Sequence, residues 1–338
     1  LKESPKYNYK WTLKEVHFKK NKGSVFSCFS GGGGSSLGYK LAGFDVLGCN
    51  EIDSRMMSAY LLNNNPKFHY CEAIADFKNR KDLPEELYHL DILDGSPPCS
   101  SFSIAGDRER GWGKEKKFRE GQVKQVLDTL FFDFINIAKK LQPKIVISEN
   151  VKGLLLKKSA EKYVSVILEK FDEAGYYTQY YILDSSKMGV PQKRERVFFI
   201  SIRKDLAEKF LRKEGFFGYR FNIDLNFDYR KIPISEFIKG KLKRETQHRT
   251  TKFKCQNILL DKNKPSKTLT ANTRFWLDEN TLLSKEDKIL IQSFPLDYNF
   301  NSESENQIRY ILGMSVPSVM TAHLADRIYN QILSKIKI

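Results

Sequence analysis

The stretch Ser24-Val25-Phe26-Ser27-Cys28-Phe29-Ser30-Gly31-Gly32-Gly33-Gly34 decides how this chain is read. Residues 24–29 form a short, mostly apolar run, and four glycines end it, the pattern of a buried strand that opens into a turn. A helical pattern follows, and residues 44–49 read as a second strand. Glycines between a strand and a helix permit a tight turn and let the backbone come close to a ligand. Working outward, residues 90–93, 145–147 and 197–202 are further strand-like runs. Between them, residues 123–141 and 163–174 carry apolar side chains at helical spacing, the first stopped by Pro143. Strands that alternate with helices predict an α/β fold, a doubly wound Rossmann-like sheet.

The residues after the turn point to a cofactor. Glu51 follows Gly31 by 20 positions, at the end of the second strand. An acidic side chain there can accept hydrogen bonds from ribose hydroxyls. Asp76, beyond a third strand, is placed to reach an adenine amino group. The pattern expected of a dinucleotide site is incomplete, because Ser36 stands where the third glycine would be. At this level S-adenosylmethionine and NAD both remain open.

The chain has 338 residues, 41% of them hydrophobic, which excludes wholesale disorder. No apolar run reaches the roughly 20 residues of a membrane span, and the lysine-rich residues 1–22 do not read as a secretory signal. Five cysteines without a CxxC pair point to neither a disulfide framework nor a metal site, hence to a reduced, cytoplasmic protein. A formal charge of +16 fits a polyanionic partner, nucleic acid being the commonest. The strand–helix alternation stops after Arg203. Residues 204–263 instead interleave Lys and Arg with Phe and Tyr, a composition suited to phosphates and bases. Helical patterns return over residues 285–294 and 317–332.

The chemistry is carried by Asp94-Gly95-Ser96-Pro97-Pro98-Cys99-Ser100-Ser101-Phe102-Ser103. Two prolines fix the backbone and present Cys99 just past the sheet edge where such folds bind ligands. Glu149, in Ser148-Glu149-Asn150-Val151, reaches the same edge. A soft nucleophile and an acid side by side are what pyrimidine chemistry needs: one adds to the ring, the other protonates a ring nitrogen.

With these motifs in order, the sequence resembles the DNA (cytosine-5) methyltransferases of bacterial and phage type over residues 25–329. The glycine turn is similar to the family's cofactor loop, and Asn50-Glu51-Ile52-Asp53 to its ribose segment. Ser96-Pro97-Pro98-Cys99 resembles the catalytic loop and Glu149-Asn150-Val151 the glutamate motif. Gln192-Lys193-Arg194-Glu195-Arg196 resembles the arginine motif, and Gln292-Ser293-Phe294-Pro295 and Gly313-Met314-Ser315-Val316-Pro317 the late motifs. Two positions depart from the pattern: Met314 stands where Asn is usual, and Ser27 where an Asp is common.

The resemblance implies a methyl group passed from S-adenosylmethionine, leaving S-adenosylhomocysteine, to C5 of a flipped-out cytosine in duplex DNA, without a metal. It implies Cys99 as nucleophile, Glu149 at N3 and the exocyclic amine, and Arg196 and Arg194 steadying the base. Cofactor contacts are implied for Phe29, Ser30, Gly31, Gly33, Gly34, Glu51, Ile52, Asp76, Phe77, Pro98 and Ser315. DNA contacts are expected from Ser101, Arg108, Arg110, His248 and Arg249, and a closing lid from the glycine-bearing residues 100–121. The domain division expected is a basic extension over 1–22, a catalytic domain over 23–203, a smaller target-recognition domain over 204–280, and helices over 281–338 that return to the catalytic domain. The protein is expected to be monomeric and nucleoid-associated, with a cognate restriction endonuclease as a candidate partner. A tRNA methyltransferase of the same fold and a catalytically silent DNA binder are the rival readings. An NAD oxidoreductase leaves the Pro-Pro-Cys loop unexplained.

Overall fold

The computed structural model describes residues 4–98, 115–116, 125–126, 129–156, 158–214, 218–238, 256–278 and 281–336. Four strands come first: β1 (Ser24–Cys28), β2 (Asp45–Asn50), β3 (Phe68–Tyr70) and β4 (Ile92–Gly95). The helices among them are α1 (Gly34–Ala42), α2 (Ser54–Asn64) and the short α3 (Ile74–Phe77). Next come a two-residue pair, β5 (Glu115–Lys116) and β6 (Gln125–Val126), then α4 (Leu130–Leu141), β7 (Ile145–Val151), α5 (Lys158–Glu173), β8 (Tyr176–Asp184) and β9 (Glu195–Arg203). The remainder holds α6 (Lys204–Ala207), the hairpin β10 (Leu211–Glu214) and β11 (Gly218–Phe221), the strands β12 (Gln256–Leu259), β13 (Thr273–Asp278) and β14 (Thr281–Leu282), and the helices α7 (Lys285–Ile291), α8 (Glu305–Met314) and α9 (Ser318–Gln331).

Seven strands form one sheet in the order β3-β2-β1-β4-β7-β9-β8. All run parallel except β9, which is antiparallel to both of its neighbours. The strands are apolar on both faces because helices cover both. Val25, Ile145, Ile147, Phe198 and Ile200 pack with Val319, Leu324 and Ile328 of α9. Their neighbours Phe26, Val146, Val197 and Phe199 pack on the other face with Phe131 and Phe134 of α4 and Phe171 of α5. A third cluster joins α7 and α8 to Leu269, Phe275 and Ile234, beside the glycine turn.

Three expectations are corrected. The helical run expected over 123–141 starts at Leu130, and residues 125–126 pair as a strand with 115–116. Several elements went unanticipated, among them helix α2, the edge strand β8 and helix α8. The first 22 residues are also more than a charged tail. Trp11 is buried and donates to the Ser293 carbonyl at 2.9 Å, the backbone N–H groups of Leu13 and Lys14 bond Asp297, and Lys6 and Lys22 pair with Asp326 of α9. The segment is a strap laid across α9 and the loop after α7. No helix among the described residues is long and apolar enough to cross a membrane.

Candidate active site

The glycine turn sits at the C-terminal end of β1, and its shape is enforced by crowding behind it. Gly33 has φ +82°, and a Cβ there would lie 2.3 Å from Asn64 Nδ2 and 2.9 Å from the Tyr60 ring, so α2 requires a residue without a side chain. Gly31 is different. Its φ is +53°, and a Cβ there would meet only Ser315 Oγ, at 4.0 Å and in ordinary contact, so it is the backbone angle and not crowding that favours glycine here. Tyr298 fixes the turn from above by donating to the Gly32 carbonyl at 2.6 Å. Ser315 is buried and donates its hydroxyl to the Ile311 carbonyl, whereas Met314 is exposed.

Glu51 holds the turn from the other side. One carboxylate oxygen accepts the Gly31 N–H at 2.8 Å and the other the Asp53 N–H at 2.8 Å. Burial pushes its pKa up to about 7, although the two backbone donors pull the other way. Asp53 caps α2 through the Arg55 N–H and is also held by the Arg55 guanidinium and the Tyr310 hydroxyl. Ile52 is half-buried and Asp76 exposed on α3, both free to face a ligand. Phe77 is not: it is fully buried, stacked on Phe26 with ring centroids 5.4 Å apart. Its ring is part of the core, which leaves its backbone as the part that could meet a cofactor.

The base-directed groups meet at the ends of β7 and β9. Val151 pairs with Arg196, and this register brings the Arg196 guanidinium to Glu149, Nε to Oε1 at 3.0 Å. The geometry is that of a charge pair more than of an aligned hydrogen bond, and both side chains are largely buried. Burial lowers the pKa of Arg196, with Glu149 opposing. Asn150 faces the other way and donates to the Pro97 carbonyl at 3.1 Å, so the strand that carries the carboxylate also grips the segment leading to Cys99. Arg194 is buried as well. It spends its Nη1 on the Leu269 and Gly313 carbonyls, at 3.1 and 3.5 Å. That makes it a clasp between the sheet and the late segments, and any effect on the base passes through neighbours. Gln192 extends the clasp, accepting the Leu269 N–H and donating to Ile291 and Gln292.

Cys99, Ser101, Arg108, Arg110, His248 and Arg249 lie outside the described residues, as does the expected lid apart from the backbone of 115–116. The approach to Cys99 is described up to Pro98, which is half-buried. Sequence reasoning missed Asn150 as the tie to Pro97 and Asp94 as a buried acceptor.

A parallel sheet in this order with one reversed strand, and a glycine turn bonded to an acidic residue at the end of the second strand, defines the Rossmann-like fold of S-adenosylmethionine-dependent methyltransferases. The family model of the C-5 cytosine-specific DNA methylases matches residues 23–282, and the chain belongs to that family. It is 29% identical to the Type II methyltransferase M.FnuDI of Fusobacterium nucleatum over 350 aligned residues, covering 93% of this chain and 96% of that protein. It is 37% identical to M.NgoPII of Neisseria gonorrhoeae over 191 residues, 56% of this chain and 51% of that one. The fold also matches a crystal structure of a DNMT2 variant of Spodoptera frugiperda, with TM-score 0.62 and 18% identity over 89% of this chain and 98% of that one.

Proposed function

We propose that this DNA cytosine-5 methyltransferase takes its methyl group from S-adenosylmethionine and acts through a covalent bond between Cys99 and cytosine C6. The observation that carries the reading is the Glu149–Arg196 pair, on a strand that also holds Pro97 in place just ahead of the thiol. The residues that would hold the cofactor are the glycine turn and Glu51, whose buried carboxylate accepts the Gly31 and Asp53 N–H groups and keeps acceptor capacity for ribose hydroxyls. When bound there, it supplies an electrophilic methyl on a sulfonium sulfur.

The residues divide the remaining work. C6 of cytosine is a poor electrophile, so the Cys99 thiolate adds only as positive charge develops at N3. Glu149, having taken a proton from solvent as Arg196 turns away, donates it to N3, while its other oxygen accepts from the exocyclic amine. In the free protein Arg196 occupies Glu149, so entry of the base loosens this pair and turns the guanidinium toward O2, where negative charge develops. Addition gives C5 enamine character. Once C5 is methylated, a water molecule takes the C5 proton, that electron pair re-forms the C5–C6 double bond, Cys99 leaves as the thiolate, and the N3 proton returns to Glu149. None of these groups reaches a base inside a duplex, so the cytosine is flipped out.

Recognition is assigned to the basic, aromatic part of residues 204–280, with His248 and Arg249 as base-directed candidates and Ser101, Arg108 and Arg110 from the lid. The protein is read as a monomer acting on duplex DNA in the cytoplasm, paired with an endonuclease of the same recognition sequence. Expression in a methylation-free host, followed by 5-methylcytosine-sensitive sequencing of its genome, tests the reading. One marked sequence context supports it. Label from S-adenosylmethionine that enters total tRNA but not duplex DNA overturns it in favour of the RNA enzyme.

A further inference from the structure

One buried acid takes no part in the chemistry above. Asp94 is 4% exposed, at the C-terminal half of β4, and accepts three hydroxyls: Ser27 Oγ at 2.9 Å, Ser35 Oγ at 2.9 Å and Tyr39 OH at 3.2 Å. Ser27 lies on β1 just before the glycine turn, and Ser35 and Tyr39 lie on α1 just after it. Ser27 and Asp94 are also directly paired in the parallel ladder of β1 and β4. A carboxylate out of water is tolerated only where donors satisfy it, and these three do so from both sides of one turn.

We propose that Asp94 is a positioning residue for the cofactor: it staples both flanks of the glycine turn to the central strand, holding the turn's backbone in the shape that receives the ligand. The proposal rests on reading that turn as the S-adenosylmethionine loop. Burial pushes Asp94 up to about 6, and the three hydroxyls counter this, so near neutral pH the staple is anionic. Its bonds are charge-assisted and stronger than those between neutral groups. Ser27 is also where the chain departs from its family's usual Asp. Because Ser27 and Asp94 face each other in register, the same staple can be built with the carboxylate on either strand.

The test is a swap. Asp94→Asn keeps the shape but removes the charge. Ser27→Asp with Asp94→Ser moves the carboxylate across the pair at nearly constant volume. Three quantities are read: S-adenosylmethionine affinity by calorimetry, kcat at saturating cofactor, and hydrogen exchange of the backbone amides of residues 29–36 without cofactor. Asp94→Asn is expected to weaken the cofactor about tenfold, to change saturated kcat by less than about threefold, and to speed exchange in the turn. Ser27→Asp alone, which crowds two carboxylates, is expected to be worse. The swap is expected to return affinity to within about threefold of the wild type. A structural filler would lower stability without this split between affinity and turnover, and without rescue. Wild-type affinity and exchange in Asp94→Asn overturn the proposal, as does a swap no better than the worse single variant. If Asp94→Asn does not fold, Ser35→Ala and Tyr39→Phe each remove one donor and carry the same readouts. If the wild type does not bind S-adenosylmethionine at all, the cofactor reading fails, and the exchange measurement still decides the staple.

Discussion

Glu51 and Glu149 occupy equivalent places, at the C-terminal ends of β2 and β7 in one sheet, yet their surroundings are opposite. Glu51 is buried and held only by backbone N–H groups, and its pKa is pushed up to about 7. Glu149 has a full cation beside it. A carboxylate steadied by amides is a fixed acceptor for neutral hydroxyls. One paired with a buried guanidinium is, on the proposed mechanism, the one that exchanges partners when a base arrives. On the proposed function, the sheet builds a binding edge and a reacting edge from the same residue type.

The comparison breaks most severely at the thiol. Cys99→Ser is expected to lower methyl transfer by at least about a thousandfold, since a hydroxyl is too weakly acidic to replace a thiolate, while filter binding of duplex DNA persists. Glu149→Gln should lower kcat by about 10²–10⁴-fold in single-turnover assays and leave S-adenosylmethionine affinity within about twofold, because the reacting edge does not hold the cofactor. Glu51→Gln should do the reverse. Each charge-assisted bond lost costs roughly 1.5–3 kcal/mol, so calorimetry should record a loss of affinity of about tenfold or more, with saturated kcat much less affected.

A pH series sharpens the contrast. The free protein carries Glu51 protonated below about 7, while ribose hydroxyls need the carboxylate. Affinity is therefore expected to be level above that pH and to fall by up to about tenfold per unit below it. The dependence should vanish in Glu51→Gln. The smallest effect is expected from Met314→Asn, which restores the family's usual residue at an exposed position. Thermal unfolding should shift by no more than about 0.5 kcal/mol, and a large gain in cofactor affinity would place that side chain at the binding edge after all.

Legibility from sequence followed burial. β1, β2, β4 and β7 stand out because strands covered on both faces read as continuous apolar runs, and Gly31–Gly34 punctuate them. β8 has the sequence Tyr-Tyr-Thr-Gln-Tyr-Tyr-Ile-Leu-Asp and lies at the sheet edge, where Tyr177, Tyr180 and Ile182 are exposed, so it lacks that signature. Nor does any local pattern announce that β9 runs against its neighbours, since direction is set by connections. In the site, Glu51 and Glu149 were legible as types at strand ends. The triple acceptance at Asp94 and the clasp of Arg194 depend on residues up to 119 positions away and leave no trace in spacing. Trp11 was hidden for the same reason, its partner lying 282 positions downstream.

The Arg194–Gln192 clasp has a consequence for how recognition can change over evolution or in the laboratory. It bonds Leu269 and Gly313, while Lys193 bonds the Ser266 carbonyl, so the chain from Ser266 onward is tied to the strand that presents Arg196. On the other side, Phe221, Leu225 and Phe227 are built into the core under the large sheet, and Ile232, Ile234 and Phe237 into the third cluster. For the recognition role proposed for residues 204–280, a graft from a relative keeps both cores only where it spares the chain through Ile238 and the chain from β12 onward, since Ile258 and Leu260 also belong to the third cluster. Cuts made wider, at 204 for instance, import foreign side chains into the two cores and sever the seam that keeps the reacting edge in place.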